Sequence, residues 1–121
     1  MKNLSKVFWH ITPTSNLDHI LRDGIKQSED GQFGDGVYCI EENDLNSLQV
    51  LLNADWYKDN GIQFEDLSIV EFIYNGNYKT YIPEITGYRD EKWILIEENI
   101  NFDKIIKTID SKEYKILEMG K

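Results

Sequence analysis

Cysteine is almost missing from this 121-residue chain: Cys39 stands alone, so no internal disulfide can form. That suits a reducing compartment. Arginine is nearly as scarce. Arg22 and Arg89 are the only two, and arginine is the usual fork for phosphate groups. No apolar run approaches the roughly 20 residues of a membrane-spanning helix, and Met1 to Ser5 carries no long apolar core of a signal peptide. The expectation is a cytoplasmic protein without a membrane partner. Positive charge is also in deficit, since 22 acidic residues against 13 basic ones leave a formal net charge of -9. Such a surface repels phosphates, which disfavours nucleic acid as a partner. It serves solubility, or it suits a basic protein. Gly-x-Ser-x-Gly does not occur, and no cysteine pair accompanies His10 and His19 at a zinc-type spacing. Cys39 has no surrounding pattern that marks a reactive thiol.

What is present is enough for one ordinary domain spanning residues 1–121. The chain is 40% hydrophobic and 29% charged, the balance of a folded protein. Lys6 to Ile11 is β-branched and aromatic and stops before Pro13, as a strand does. Ser15 reads as a helix N-cap with Asp18 as a carboxylate form of the capping box. Leu17, Ile20 and Leu21 then form one apolar stripe, ended by Gly24 with Ile25 as the apolar contact beyond it. Lys26 to Gly36 is a polar, glycine-punctuated and mobile loop. Val37 to Ile40 is a short strand. Asp44 caps a second helix that runs to about Tyr57, with Leu45, Leu48, Leu51, Leu52 and Trp56 on one face.

Leu67 to Tyr74 and Tyr78 to Ile82 flank Asn75-Gly76-Asn77, a strong short-range hairpin signal. Pro83 ends the second of these strands, and Glu84 to Asp90 is a loop. Lys92 to Ile96 is a strand. Asp103 to Ile109 suits a strand or one end of a helix and is taken as a strand. Tyr114 to Leu117 adds a last edge strand. The whole reads as α+β, with two helices in the N-terminal half and a largely antiparallel sheet after them.

Three stretches carry candidate chemistry. His10 closes the first strand. Tyr38 follows Gly34-Asp35-Gly36-Val37, where glycines permit a sharp turn and close backbone approach to a ligand. Glu91 stands at the mouth of the strand that begins near Lys92. Each has an ordinary structural explanation: a satisfied histidine, a core tyrosine, an exposed charge. His19 falls outside its helix's apolar stripe and faces solvent. Asp44, Glu65, Asp66, Glu97 and Glu98 are most simply solvated surface.

Taken together, the stretches resemble the ADP-ribosyltransferase superfamily. Phe8-Trp9-His10-Ile11-Thr12, followed by Asn16-Leu17, Ile20-Leu21 and Gly24-Ile25, is similar to that family's opening strand and helix. Gly34-Asp35-Gly36-Val37-Tyr38 looks like the Gly-x-Gly-Ile/Val-Tyr strand of the diphtheria-toxin and PARP branch. Glu91-Lys92-Trp93-Ile94-Leu95 is similar to the strand that bears the family's catalytic glutamate. The first motif is also similar to that of the DarT DNA-modifying toxins, whose middle section this chain does not match. The resemblance implies a compact split antiparallel sheet with NAD as co-substrate in the cleft between its halves.

The roles it implies follow residue by residue. His10 would bind a ribose hydroxyl of NAD. Ile11 backbone and Thr12 would hold the nicotinamide carboxamide. Asn16 and Gly36 would belong to the same NAD-contacting set. Tyr38 would stack on the nicotinamide, and Glu91 would stabilise the oxocarbenium-like transition state, with Glu84 as the fallback carboxylate. Ile11 replaces the glycine usual in PARPs and narrows the pocket. The short chain fits a mono-ADP-ribosyltransferase acting on a protein acceptor, in the setting of a phage or mobile-element effector or toxin. The related tRNA 2′-phosphotransferases need several arginines, which disfavours them here. The alternatives are NAD hydrolysis and a non-catalytic acidic binder or inhibitor on the same fold. The Lys26 to Gly36 loop would serve as a donor-site lid.

Overall fold

Sequence patterning accounts for most of the strands. The computed structural model describes residues 5–29, 34–53, 61–81 and 92–114. Strand β1 (Lys6–Pro13) leads through a 3₁₀ turn (Thr14–Asn16) into helix α1 (Leu17–Asp23). Strand β2 (Val37–Glu41) and helix α2 (Leu45–Asn53) follow. Strands β3 (Leu67–Tyr74), β4 (Lys79–Tyr81), β5 (Trp93–Ile96) and β6 (Ile105–Ile109) complete the sheet. Turns of 3₁₀ helix at Phe64–Asp66 and Phe102–Lys104 lead into β3 and β6, so the strand expected from Asp103 begins only at Ile105. All pairings are antiparallel, and the strands form one six-stranded sheet in the order β4-β5-β2-β1-β3-β6.

The sheet is joined unevenly. β1 and β3 pair along their whole length, from Lys6↔Tyr74 to Pro13↔Leu67. β1 and β2 share two Cα pairs, Phe8↔Glu41 and Trp9↔Ile40. One half of the sheet is therefore β1-β3-β6 and the other β2-β5-β4, with a short seam between them.

Side-chain alternation sends two cores to opposite faces. Phe8, Val37, Cys39, Val70, Phe72, Ile94 and Ile96 pack with Ile20 of α1 on one face. Trp9, Ile40, Leu67, Ile69 and Ile109 pack with Leu48 and Leu52 of α2 on the other. Each core draws on both halves of the sheet, so apolar packing spans the seam where the ladder is short. Burying one such Ile, Leu or Phe contributes about 1.5–3 kcal/mol.

Several expectations change. Asn75-Gly76-Asn77 does not close a hairpin: β3 lies between β1 and β6, while β4 pairs with β5 at the far edge. Both flanks of β3 are already taken, so the chain after Tyr74 has no free edge of β3 to pair with. It crosses the end of β1 instead. Tyr78 packs edge-on to Phe8 at 5.2 Å and accepts a hydrogen bond from Lys6 Nζ at 2.7 Å. Ser15 is not the cap of α1. It lies within the 3₁₀ turn, and the N-cap position falls to Asn16, which makes no side-chain cap bond.

Leu21 is 48% exposed, which narrows the α1 stripe to Leu17 and Ile20. Gly24 has φ +85°, and a side chain there would run into the Ile100 carbonyl, so glycine is required twice over. Tyr114 belongs to a helical turn at 111–114, not to a strand. Asp110 caps that turn by accepting from the Lys112 and Glu113 N–H groups. Tyr114 is fully buried and donates to the Leu67 carbonyl at 3.1 Å. Residues 115–117 of that proposed strand, the stretch of the second helix from 54 to 57, and Ile82 lie outside the described residues. Among the described residues no helix is long and apolar enough to cross a membrane.

Candidate functional site

The seam positions the candidate site. Pairing of β1 with β2 stops at Trp9↔Ile40. One step further along β1, the His10 imidazole takes over: Nδ1–H donates to the Tyr38 carbonyl at 2.7 Å. A carbonyl accepts but cannot donate, so this contact assigns the proton to Nδ1 and leaves Nε2 as an acceptor on the neutral ring. Burial pushes the His10 pKa down from 6.5, and the bond to the Tyr38 carbonyl opposes that shift in part. His10 is thus held neutral, in one tautomer, at the point where the two halves part.

Beyond His10 the face of β1 turns polar. Thr12 and Ser68 are a register pair across β1 and β3, 3% and 2% exposed. Asn16 donates its Nδ2–H to Thr12 Oγ1 at 3.1 Å, and Thr14 and Ser68 share a hydroxyl hydrogen bond of 2.8 Å. Asn16 therefore spends its side chain on Thr12 rather than on capping α1. The result is a run of hydroxyl and imidazole groups on a face otherwise built from Phe8, Val70 and Phe72. Ser68 and Thr14 were not singled out in the sequence. The signal for Ser68 is a lone hydroxyl inside the apolar run Leu67 to Val70.

Tyr38 turns its ring elsewhere. It meets Trp93 edge-on at 6.3 Å, and its hydroxyl donates to the Gly34 carbonyl at 2.5 Å. His10 therefore contacts the backbone of Tyr38, while the ring is fixed against β5. Ile11 is half-buried against the α2-side core. Gly36 is clasped by Ser28: Ser28 N–H donates to the Gly36 carbonyl at 2.8 Å, Ser28 Oγ–H at 2.9 Å, and Gly36 N–H returns a bond of 3.1 Å. A side chain at Gly36 would sit 2.5 Å from Leu95 Cδ1, so the glycine is set by packing on β5. The expected lid is closed at its base by this clasp, and residues 30–33 of it lie outside the described residues.

Glu91 and Glu84 also lie outside the described residues. Lys92, next after Glu91, is well anchored. Its backbone N–H donates to Ser47 Oγ at 2.8 Å, and Ser47 Oγ–H donates to Asp44 Oδ2 at 2.7 Å. Asp44 Oδ1 accepts from Ser47 N–H at 3.2 Å, the N-cap bond of α2. Asp44, grouped with the solvated carboxylates on sequence grounds, is thus half-buried and linked through Ser47 to the entry of β5. The pattern Asp44-x-x-Ser47 carried the cap but not the reach to Lys92.

His19 is exposed and lies 4.0 Å from Asp23. Burial drives the Cys39 thiol far above its usual range, which makes it a poor nucleophile. Among the described residues no cluster of three or more His, Cys, Asp or Glu is arranged to hold a metal ion. Compared with known families, characterised proteins and solved structures, the chain matches none.

Proposed function

We propose that the chain is an NAD-dependent mono-ADP-ribosyltransferase that transfers ADP-ribose to a protein acceptor, on a split-sheet fold with NAD seated at the seam. The observation that carries this reading is the bond from His10 to the Tyr38 carbonyl where β1 and β2 part. It joins two of the three motif stretches at one point. It also leaves Nε2 of a neutral imidazole as an acceptor suited to a ribose hydroxyl. Thr12, which accepts from Asn16, keeps its own proton to donate toward a carboxamide oxygen. The Tyr38 ring lies on the α2 side of the sheet, against Trp93 and tied to Gly34, so stacking on a cationic ring would require it to turn toward the seam.

In this mechanism the C–N bond between ribose and nicotinamide breaks, and positive charge grows on the anomeric carbon. Glu91 would supply a negative charge that favours that state more than the ground state. The Asp44–Ser47–Lys92 link fixes the backbone immediately after Glu91. Nicotinamide would leave as a neutral molecule with the bonding electron pair. A nucleophilic side chain of the acceptor would then bond to the anomeric carbon and release its proton to solvent.

The test is incubation of the protein with labelled NAD and a cell lysate. Label on a protein band is the expected result. Free ADP-ribose without labelled protein points to hydrolysis. No product, with no NAD binding by calorimetry, overturns the reading in favour of an acidic binding protein.

A further inference from the structure

Glu71 is an ionisable residue in the middle of a central strand. It sits in β3 between Trp9 of β1 and Lys107 of β6 and is 6% exposed. Burying a carboxylate costs several kcal/mol unless charge or hydrogen bonds compensate. The compensation here is partial. Trp9 Nε1–H donates to Oε1 at 3.0 Å, whereas an ionised carboxylate offers about four acceptor positions. Among the described residues nothing else reaches it. Lys107, directly opposite in register, is exposed and makes no ion pair with it. The ladder also slips at this point: Glu71 pairs with Lys107 but Phe72 with Ile105, a bulge of the kind that re-aims side chains.

A cavity of about 390 Å³ opens beside this carboxylate, lined by Trp9, Glu42, Asn43, Glu71, Lys107 and Glu113 among others. Three carboxylates face one ammonium, so the lining favours a cation. The carboxylates are not gathered as metal ligands are. A guanidinium differs from a metal ion in spreading five donors over a rigid plane, so it can serve acceptors that lie apart. It is also weakly hydrated and lies well against aromatic side chains. The volume is within the range of small-ligand sites and admits an arginine-like side chain.

We propose that this cavity is a binding site for a guanidinium cation, with Glu71 as the buried anchor and Glu42 and Glu113 as outer acceptors. The cation arrives either as a free small guanidine or as an arginine side chain on a basic partner, toward which the net charge of -9 would steer it. The site is independent of the transferase reading and does not use His10, Tyr38 or Glu91.

The test is titration of the full-length, ¹⁵N-labelled protein while following the Trp9 indole N–H resonance. One arm adds agmatine, the second an acetylated and amidated Gly-Arg-Gly peptide, and the third sodium chloride at matched ionic strength. A saturable Trp9 shift in either of the first two arms, absent with salt, is expected. Saturation with agmatine identifies a free guanidine, and saturation with the peptide alone identifies an arginine side chain. Glu71→Gln keeps an acceptor for the indole but removes the charge, and it should weaken binding at least about tenfold. The Trp93 indole resonance reports whether that variant is folded. If it is not, the exposed pair Glu42→Gln and Glu113→Gln together should weaken binding several-fold. Shifts no larger than those from salt in both ligand arms, or unchanged affinity in a folded Glu71→Gln variant, overturn the proposal.

Discussion

Ser47→Ala removes one oxygen and two hydrogen bonds. Ser47 is fully buried. Its Oγ both donates to Asp44 Oδ2 and accepts from Lys92 N–H. The alanine leaves the Lys92 N–H without its partner in a half-buried site, at a cost of about 1–2 kcal/mol. Loss of the bond to Asp44 adds less, because Asp44 keeps its bond to the Ser47 N–H and has access to water. The sum is about 2 kcal/mol, which lowers Tm by about 8 °C in a domain of this size. Calorimetry measures that shift, and hydrogen exchange localises it, since the Lys92 amide should lose protection while those of β3 keep theirs. A double-mutant cycle with Asp44→Ala should give a coupling of at least about 0.5 kcal/mol. A variant within about 0.5 °C of the parent, with the Lys92 amide still protected, would refute the chain of bonds drawn from Asp44 to β5. Under the transferase reading, the same variant should slow transfer more than it weakens NAD binding.

Under the transferase reading, Glu91→Gln should reduce transfer by roughly two to three orders of magnitude with little change in NAD affinity, since the charge it removes would act on the transition state. Glu84→Gln is its control, and the reverse pattern in a labelled-NAD assay would move the carboxylate to Glu84. Burial holds His10 below 6.5, so the unfolded chain binds a proton that the folded one refuses. Stability is then full above about 6.5 and declines as pH falls toward the folded value, and urea midpoints measured across that range should flatten in His10→Gln.

The parts of the fold that were legible in the sequence are those governed by neighbours along the chain. The β-branched and aromatic runs of β1, β2, β3 and β5 were readable because strand-forming side chains follow one another along the chain. β3 and β5 are covered on both faces, so their runs are apolar almost throughout. Gly24 was readable because a helix end needs its geometry. The Asn75-Gly76-Asn77 turn misled, because a hairpin signal describes a turn and not the partner, and β1 and β6 had already claimed both flanks of β3. Tyr114 misled because the Asp110 cap, four residues earlier, decided its conformation. At the candidate site, His10 and Tyr38 were singled out from motif and position, whereas Ser47 and Ser68 were not, because their roles come from contacts 45 and 54 positions away. Glu71, at the separate cavity, was hidden for the same reason, its partner Trp9 lying 62 positions away.

The two halves of the sheet meet mainly through the greasy interiors on either side of it, with little backbone lacing at Phe8 and Trp9. Apolar cohesion fades as water cools, whereas a hydrogen-bonded ladder does not fade in the same way. The weak line of this molecule therefore lies at the low end of the temperature scale and runs between β1 and β2. A guest lodged across that line would act as a rivet, and its grip would count most in the cold.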